Sequence, residues 1–368
     1  LSPKCRAWPG RLFLAWWFGV WHWERGYLLD EARRLVALLL VASLTFLACE
    51  GAGRRWAWRA PRAAAVLLLP LFALVVVLTT WHSGHPLGAN HGLVLPPALF
   101  VLYATLRRQE QDGLDWFTAE RHLFQFWTWA WIPAWEAHWW ATQWPELGLS
   151  LAEALRGLLL ALPILMLVRP VPFWPLTPHR SLYLGPASGL PVLLAWAWLA
   201  AGAAVHTGDW ALPNLPVLNP LELVGLCLIW VLHRHWQAAG RFGQDQGHAT
   251  LFPLALLAWL TQMLARAVHH WGGVPYLPAP LWQSSLLQAL VSFAWTAFAL
   301  AILVLASRRQ RRLAWFGGLG LLFLVGLKLL LVDLANVGGL LRVLSLTGIG
   351  ALVLGAGYLA PVPPRKVA

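Results

Sequence analysis

Hydrophobic positions in this chain come in long blocks rather than in alternation. The tract between Arg62 and Arg107 holds no Asp, Glu, Lys or Arg, and neither does the tract between Arg266 and Arg308. Shorter charge-free tracts run between Arg180 and Asp209 and between Arg342 and Arg365. A helix needs roughly 20 apolar residues to cross a hydrocarbon core about 30 Å thick. The two longest tracts therefore each predict two spans joined by a short polar turn. Leu, Ala and Val fill them without the short alternating segments of barrel strands, so the backbone must satisfy itself within helices. The pattern predicts about 12 helices, over 10–23, 32–50, 63–82, 92–106, 120–141, 151–168, 188–207, 219–236, 250–270, 284–306, 312–332 and 340–359. Most turns carry proline, among them Pro86, Pro145, Pro213, Pro216, Pro275, Pro278 and Pro280, which ends helices by removing a donor. The helix interiors look mostly unbroken by proline. The expected fold is an all-α polytopic transmembrane bundle, built as repeated helical hairpins in one integral membrane domain over 1–368.

Composition agrees. Of 368 residues, 59% are hydrophobic and 11% charged, and 27 are Trp; the mean hydropathy is +0.60. Soluble domains carry about 25% charged residues. This excludes a soluble enzyme, a disordered tail, a coiled coil and a disulfide-rich secreted module. The basic residues then set a topology. They collect around Lys4, Arg6 and Arg11, at Arg54 to Arg62, at Arg107, Arg108 and Arg121, at Arg169 and Arg180, at Arg234 and Arg241, at Arg308 to Arg312, and at Arg365 and Lys366. These are alternate loops, so the positive-inside rule puts both termini in the cytoplasm. The pI of about 10.7 is explained by these topology signals and by phospholipid headgroups, without nucleic acid. Cys5, Cys49 and Cys227 have no pairing or metal-ligand spacing. The chain starts at Leu1, so a fragment of a longer protein is expected.

The opposite loops share a pattern. His22, His82, His138, His206 and His269 recur near the outer ends of odd-numbered helices, each followed by a turn and a returning helix. This spacing reads as hairpins about 60 residues long with a shared outward face. His85, His91 and His270 fall on that side too, with Trp21, Trp23, Trp81, Trp135, Trp139, Trp140, Trp144, Trp210, Trp271 and Trp282. An interfacial aromatic belt accounts for many of them. A converging pocket is the functional alternative, with Trp faces for sugars or cations and His for proton transfer.

Five polar groups need an explanation. Arg266, His269 and His270 stand at i, i+3 and i+4 in R-A-V-H-H-W, on one helix face. An intramembrane arginine is by default a site hypothesis, and snorkelling to the interface is its plain alternative. Ser284, Gln288, Ser292 and Trp295 form a stripe on the next helix, either packing helices or facing Arg266. Asn219, Pro220 and Glu222 have the order of a helix capping box. In the last hairpin, Lys328, Asp333 and Arg342 either pair to fix the turn or offer cations to an anionic headgroup. Glu136, His138, Glu153 and Arg156 read as local interfacial ion pairs. No phosphate loop, metalloprotease motif or nucleophile elbow is present, no His pair has the context of a haem site, and no cofactor or metal is assigned.

The runs N-P-L-E, R-A-V-H-H-W-G-G-V-P and S-S-L-L-Q-A-L-V-S-F-A-W-T, with K-L-L-L-V-D-L-A-N-V-G-G-L-L-R-V-L-S-L-T-G-I-G and Y-L-A-P-V-P-P-R, resemble one bacterial family of large membrane proteins, the domain of unknown function 2339. These motifs lie in 213–368, the most family-specific region; the first half matches mainly in hydropathy. The resemblance implies a polytopic inner-membrane protein, usually longer than this chain, and brings no activity.

The expected function is therefore an outward-facing site for an anionic lipid or lipid-linked sugar in cell-envelope transfer or transport. Arg266, Lys328 and Arg342 would hold the ligand, with Ser284, Gln288 and Asp333 completing the site. Trp271 and Trp282 would stack on it, and His269 or His270 would move protons. The rival is a structural or assembly protein whose polar residues only cap and pair helices.

Overall fold

A computed structural model describes residues 15–21, 31–88, 91–143, 148–169, 172–205, 214–240 and 248–333, with 347, 350, 354–355, 357–358 and 360–363. The described residues are helical throughout, with short turns and no strand. Seven of the helices are long and apolar enough to cross a membrane: Arg34–Arg55, Arg59–Ser83, Ser150–Val168, Arg180–Ala204, Leu251–Gly272, Ser285–Arg308 and Arg312–Leu331. Three more predicted spans are helices of a different character. Leu95–Gln111 has 17 residues and ends on Arg107, Arg108 and Glu110. Thr118–Thr142 carries Glu120, Arg121 and Glu136, and Pro220–Ala239 carries Glu222 and Arg234. All three keep their helices; shorter length sets the first apart from the seven, and a more polar, His- and Trp-rich composition sets apart the other two. Of the first predicted span, 15–21 are helical; most of the last, 340–359, lies outside the described residues.

In chain order, α1 is Glu31–Arg55, α2 Arg59–Ser83, α3 Leu95–Gln111, α4 Thr118–Thr142, α5 Gly148–Val168, α6 Arg180–Ala204, α7 Pro220–Ala239, α8 His248–Gly272, α9 Pro278–Gln283, α10 Ser285–Arg308 and α11 Arg312–Lys328. The chain divides into two compact units, Leu1–Pro145 with Leu155–Ala195, and Glu146–Ala154 with Trp196–Ala368.

In the first unit, α1, α2 and α3 share a core of Leu39, Phe46, Leu68, Phe72, Leu95 and Leu102. Outward positions stay apolar: Leu44, Leu74, Val77 and Phe100 are all more than half exposed. A water-facing surface would not carry such residues on successive turns, whereas acyl chains solvate them. Hydroxyls inside these helices bond their own backbone, Ser43 to Leu39 O and Thr79 to Val75 O, both at 2.7 Å.

In the second unit, α10 and α11 form a close hairpin. A Cβ on Gly318 would sit 3.0 Å from Ile302 and Leu303 side chains, so the small residue sets the approach. Between α7 and α8, Gly225 leaves room for Trp259, whose indole N–H reaches Glu222 O at 3.0 Å. Asn219 caps α7 as its sequence predicts, accepting from Leu221 N at 2.9 Å, with Pro220 at the first helical position.

One expectation about helix interiors is corrected. Pro133, Pro163, Pro186, Pro191 and Pro253 all lie inside helices. Around Pro186, α6 widens into a π-turn over Tyr183–Ala187, where Gly185 leaves helical geometry at φ −96 and ψ −109. Side chains bond carbonyls of this irregular stretch: Trp127 from α4 donates to Ala187 O at 2.9 Å, and Ser188 of α6 itself to Gly185 O at 2.8 Å.

Candidate functional site

Buried polar side chains concentrate in separate clusters, best taken unit by unit. In the second unit, Arg266 is 1% exposed and Glu222 0%. Arg266 donates from Nε to Glu222 Oε1 at 3.3 Å and from Nη1 to Gly202 O at 3.1 Å. The other Glu222 oxygen accepts from Val217 N just ahead of α7. Glu222 thus serves the capped helix start and a buried cation at once. Arg266 does not snorkel: its guanidinium is turned inward onto a carboxylate and a carbonyl, the arrangement that makes an intramembrane charge tolerable.

The neighbouring predicted residues occupy the end of α8, the turn after it, α9 and the start of α10. The His269 ring bonds Val274 O through Nδ1 at 2.7 Å and stands 4.8 Å from the His270 ring and 5.6 Å from Tyr276. Tyr276 donates to Ala203 O at 2.9 Å; burial pushes its phenol above the ordinary value, with Arg266 opposing. Trp271 is 67% exposed and Trp282 66%, and the Trp271 indole N–H is held by Asn214 O at 2.8 Å. Ser284 is an N-cap, accepting from Leu287 N, and Gln288 turns back to Trp282 O at 2.8 Å. Lys328 bonds Ser292 Oγ at 2.7 Å and Gln288 O at 3.1 Å, so two residues of the stripe meet the end of α11, a contact the sequence reading did not name. Trp295, also on that stripe, instead donates to Thr261 at 2.9 Å. Asp333 closes a π-turn at Leu329–Asp333; Arg342, His22 and His206 lie outside the described residues. The geometry groups the predicted set around two centres: Arg266 with Glu222, linked through Tyr276 to His269 and His270, and Lys328 with Ser292 and Gln288.

The first unit holds more. On the outer side by the predicted topology, Glu136 accepts from His85 Nδ1 at 3.0 Å and from Leu87 N, while Trp139 stacks on His85 with centroids 3.6 Å apart. His91 is 2% exposed; its Nδ1 donates to Gly88 O. Burial lowers the His91 pKa, with the Gly88 carbonyl opposing.

At the arginine-rich helix ends of the same unit, Glu50 (0% exposed) accepts from Arg62 Nη2 at 2.8 Å and from Gln109 at 2.8 Å. Arg62 also reaches Asp112 at 2.7 Å, and Arg54 joins Asp112 at 3.2 Å. Arg121, fully buried, donates to Gln109. One residue further along, Glu110 Oε1 lies 2.7 Å from His122 Nε2 and 3.0 Å from His179 Nε2, and its Oε2 accepts from Trp174 Nε1 at 2.8 Å. His122 Nδ1 is 2.9 Å from Tyr183 OH. Burial pushes the Glu110 carboxyl up, but hydrogen bonds from His122, Trp174 and His179 outweigh it and hold the pKa below the ordinary value. Glu110, His122 and His179 also form the one group of possible metal ligands found among the described residues.

Sequence reading missed that group. Twelve residues separate Glu110 from His122, and His179 follows far along the chain, in a proline-rich stretch. No local spacing announces such a site. The weak available signal was a carboxylate and two histidines, each close to an arginine.

Taken together, lipid-facing apolar helices with buried, internally paired charges define a multi-pass α-helical membrane protein. A family model described as a predicted membrane protein, domain of unknown function 2339, matches residues 8–363, and the chain belongs to that family. The match covers nearly the whole chain, so the family character extends well ahead of the 213–368 motifs that suggested it. No curated protein and no solved structure matches the chain.

Proposed function

We propose that this is a bacterial inner-membrane protein that handles an anionic lipid or lipid-linked sugar, in cell-envelope transfer or transport, at the outer end of α8. One observation carries the reading. A fully buried Arg266–Glu222 pair braces the helix end that presents His269, His270 and the exposed Trp271. Charges are costly in such a segment, and their retention is by default a sign of function. In this reading Arg266 positions the helix end and does not touch ligand. His269 or His270 is the acid/base or proton-coupling group, and Trp271 and Trp282 lie along the ligand at headgroup level. Lys328 offers a cation to an anionic headgroup, with Asp333 closing the turn that follows its helix.

The test is lipid retention. The detergent-solubilised full chain is exposed to equimolar phosphatidylglycerol and phosphatidylcholine, and bound lipid is read by native mass spectrometry. The wild type is expected to retain phosphatidylglycerol, and the Lys328→Gln and Trp271→Ala variants to lose that preference while eluting as folded protein. Equal retention of both lipids by the wild type, or unchanged preference in both variants, sinks the proposal and leaves the structural or assembly role.

A further inference from the structure

We propose that Glu110, His122 and His179 form a binding site for a divalent first-row transition ion, with zinc as the reference ion. The inference concerns the first unit alone and is independent of the lipid reading above. Its basis is convergence. Both imidazole Nε2 atoms point at the same carboxylate oxygen, at 2.7 and 3.0 Å. All three donor atoms lie within 4.8 Å of one another. Donors around a tetrahedral ion with bonds of about 2.0–2.1 Å stand about 3.3 Å apart. Opening the triangle's short sides from 2.7 and 3.0 Å to about 3.3 Å would admit the ion, a shift within reach of side-chain torsions.

The donor set suits the assignment. Two imidazole nitrogens and one carboxylate oxygen are a common set for catalytic zinc and for non-haem iron, whereas calcium and magnesium prefer oxygen alone. The surroundings resemble the outer support that metal ligands need. The second nitrogen of His122 meets Tyr183 OH at 2.9 Å, which fixes the ring. With Nε2 bound to an ion, the His122 proton sits on Nδ1, and the Tyr183 oxygen can accept it. The second oxygen of Glu110 is held by Trp174 Nε1 at 2.8 Å, and Trp174 is itself placed by Tyr103, which donates to its carbonyl at 3.2 Å. Tyr183 begins the π-turn of α6, an irregularity found often at functional sites.

Accessibility decides the kind of site. His122 is 0% exposed at its side chain, Glu110 15% and His179 28%. The ion would therefore be anchored from within and approached from the His179 side. Three protein ligands and an open side are the pattern of a site that keeps a position for water or substrate, not of a closed structural one. A hydrogen-bonded Glu–His–His cluster without an ion is the competing account. It requires that each Nε2 keep its proton, and it predicts no stoichiometric metal.

The full chain, purified in mild detergent, stripped with chelator and dialysed against zinc, separates the two. The expected result is one zinc per chain by elemental analysis, falling to background in His179→Ala. In Tyr183→Phe the affinity is expected to weaken about 10- to 100-fold, the usual cost of losing an outer-shell partner. His85→Ala and His269→Ala should keep one zinc, which guards against adventitious binding at other histidines. Should His179→Ala fail to elute as folded protein, His179→Gln and the visible absorption of the cobalt-loaded wild type decide. Intense bands of four-coordinate cobalt support the site. A wild type without stoichiometric zinc, a cobalt spectrum of the six-coordinate aqueous kind, or a folded His179 variant that retains its zinc overturns it.

Discussion

The two units treat buried charge differently. In the second, Arg266 and Glu222 meet as one ion pair, with a backbone carbonyl, a backbone amide and the Tyr276 hydroxyl beside them. In the first, Glu50 is shared by Arg62 and Gln109, Arg62 by Glu50 and Asp112, and Asp112 by Arg62 and Arg54. A pair concentrates the consequences of a single change, while a network spreads them. The difference also bears on function. A network at an arginine-rich helix end has neutralised itself through many partners and so can tolerate the neighbouring Glu110, whose imidazole partners face a common point. An ion pair joining two membrane helices, Arg266 on α8 and Glu222 on α7, has fewer charged partners to share the load.

The largest expected effect breaks the lone pair. Arg266→Ala leaves the Glu222 carboxylate buried with its backbone contact alone, and removing one partner of a buried ion pair typically costs about 3–5 kcal/mol. Unfolding of the detergent-solubilised protein by denaturant titration should show a loss of that order. The double replacement Arg266→Met with Glu222→Leu should recover most of it, because an apolar pair of similar volume avoids both desolvation costs. Recovery would also show whether the helix end survives without the charges. A double variant as unstable as the single one would mean that the pair is not the reason for the loss.

The second effect is smaller and tests redundancy. Arg62→Ala removes the cation hydrogen-bonded to Glu50, but Gln109 still donates to Glu50 and Arg54 still pairs Asp112. The expected loss is that of hydrogen bonds to charged groups, about 1.5–3 kcal/mol. If Arg62→Ala costs as much as Arg266→Ala in the same titration, the contrast between network and pair fails.

How far these clusters were legible depends on how each contact is encoded. The spans were readable because burial in lipid demands unbroken apolar length, and seven helices meet that demand. The Asn219 cap was readable because capping is local. Arg266 was singled out as an intramembrane charge, but its partner was not, since Glu222 lies 44 residues away and had already been explained by the capping motif. Glu110, His122 and His179 were invisible for a related reason: each sits close to an arginine that reads as a topology signal, and only the folded chain brings the three together. The family motifs carried the recognition in 213–368, yet the denser polar geometry lies in the unit the motifs did not cover.

A third prediction isolates the metal-site neighbourhood from the network. Tyr183→Phe deletes one hydroxyl, at His122 Nδ1, and keeps the ring edge-on to Phe126 at 5.5 Å. Without metal the expected loss is about 0.5–1.5 kcal/mol, the net value of one hydrogen bond. In zinc the gap between wild type and variant should widen, since binding stabilises the native state by an amount that grows with the logarithm of the affinity. An identical gap with and without zinc would detach Tyr183 from the ion.

The smallest effect asks whether partner number, rather than the unit, governs the response. His91 belongs to the first unit but resembles the lone pair: it is 2% exposed, donates from Nδ1 to Gly88 O, and its Nε2 has no partner among the described residues. Burial holds its pKa below the ordinary value of 6.5. Below 6.5 the unfolded chain takes up a proton that the native ring resists, so this group's contribution is complete above pH 6.5 and is lost as pH falls through the folded pKa. His91→Asn keeps an N–H where Nδ1 donates and removes the titration. Between about pH 7.5 and 5.5, wild-type stability should therefore decline more than that of the variant, as read by denaturant midpoint. Parallel declines would mean that the Nε2 atom is satisfied in solution and that the first unit shields even its single-partner groups, which would make the contrast one between units after all.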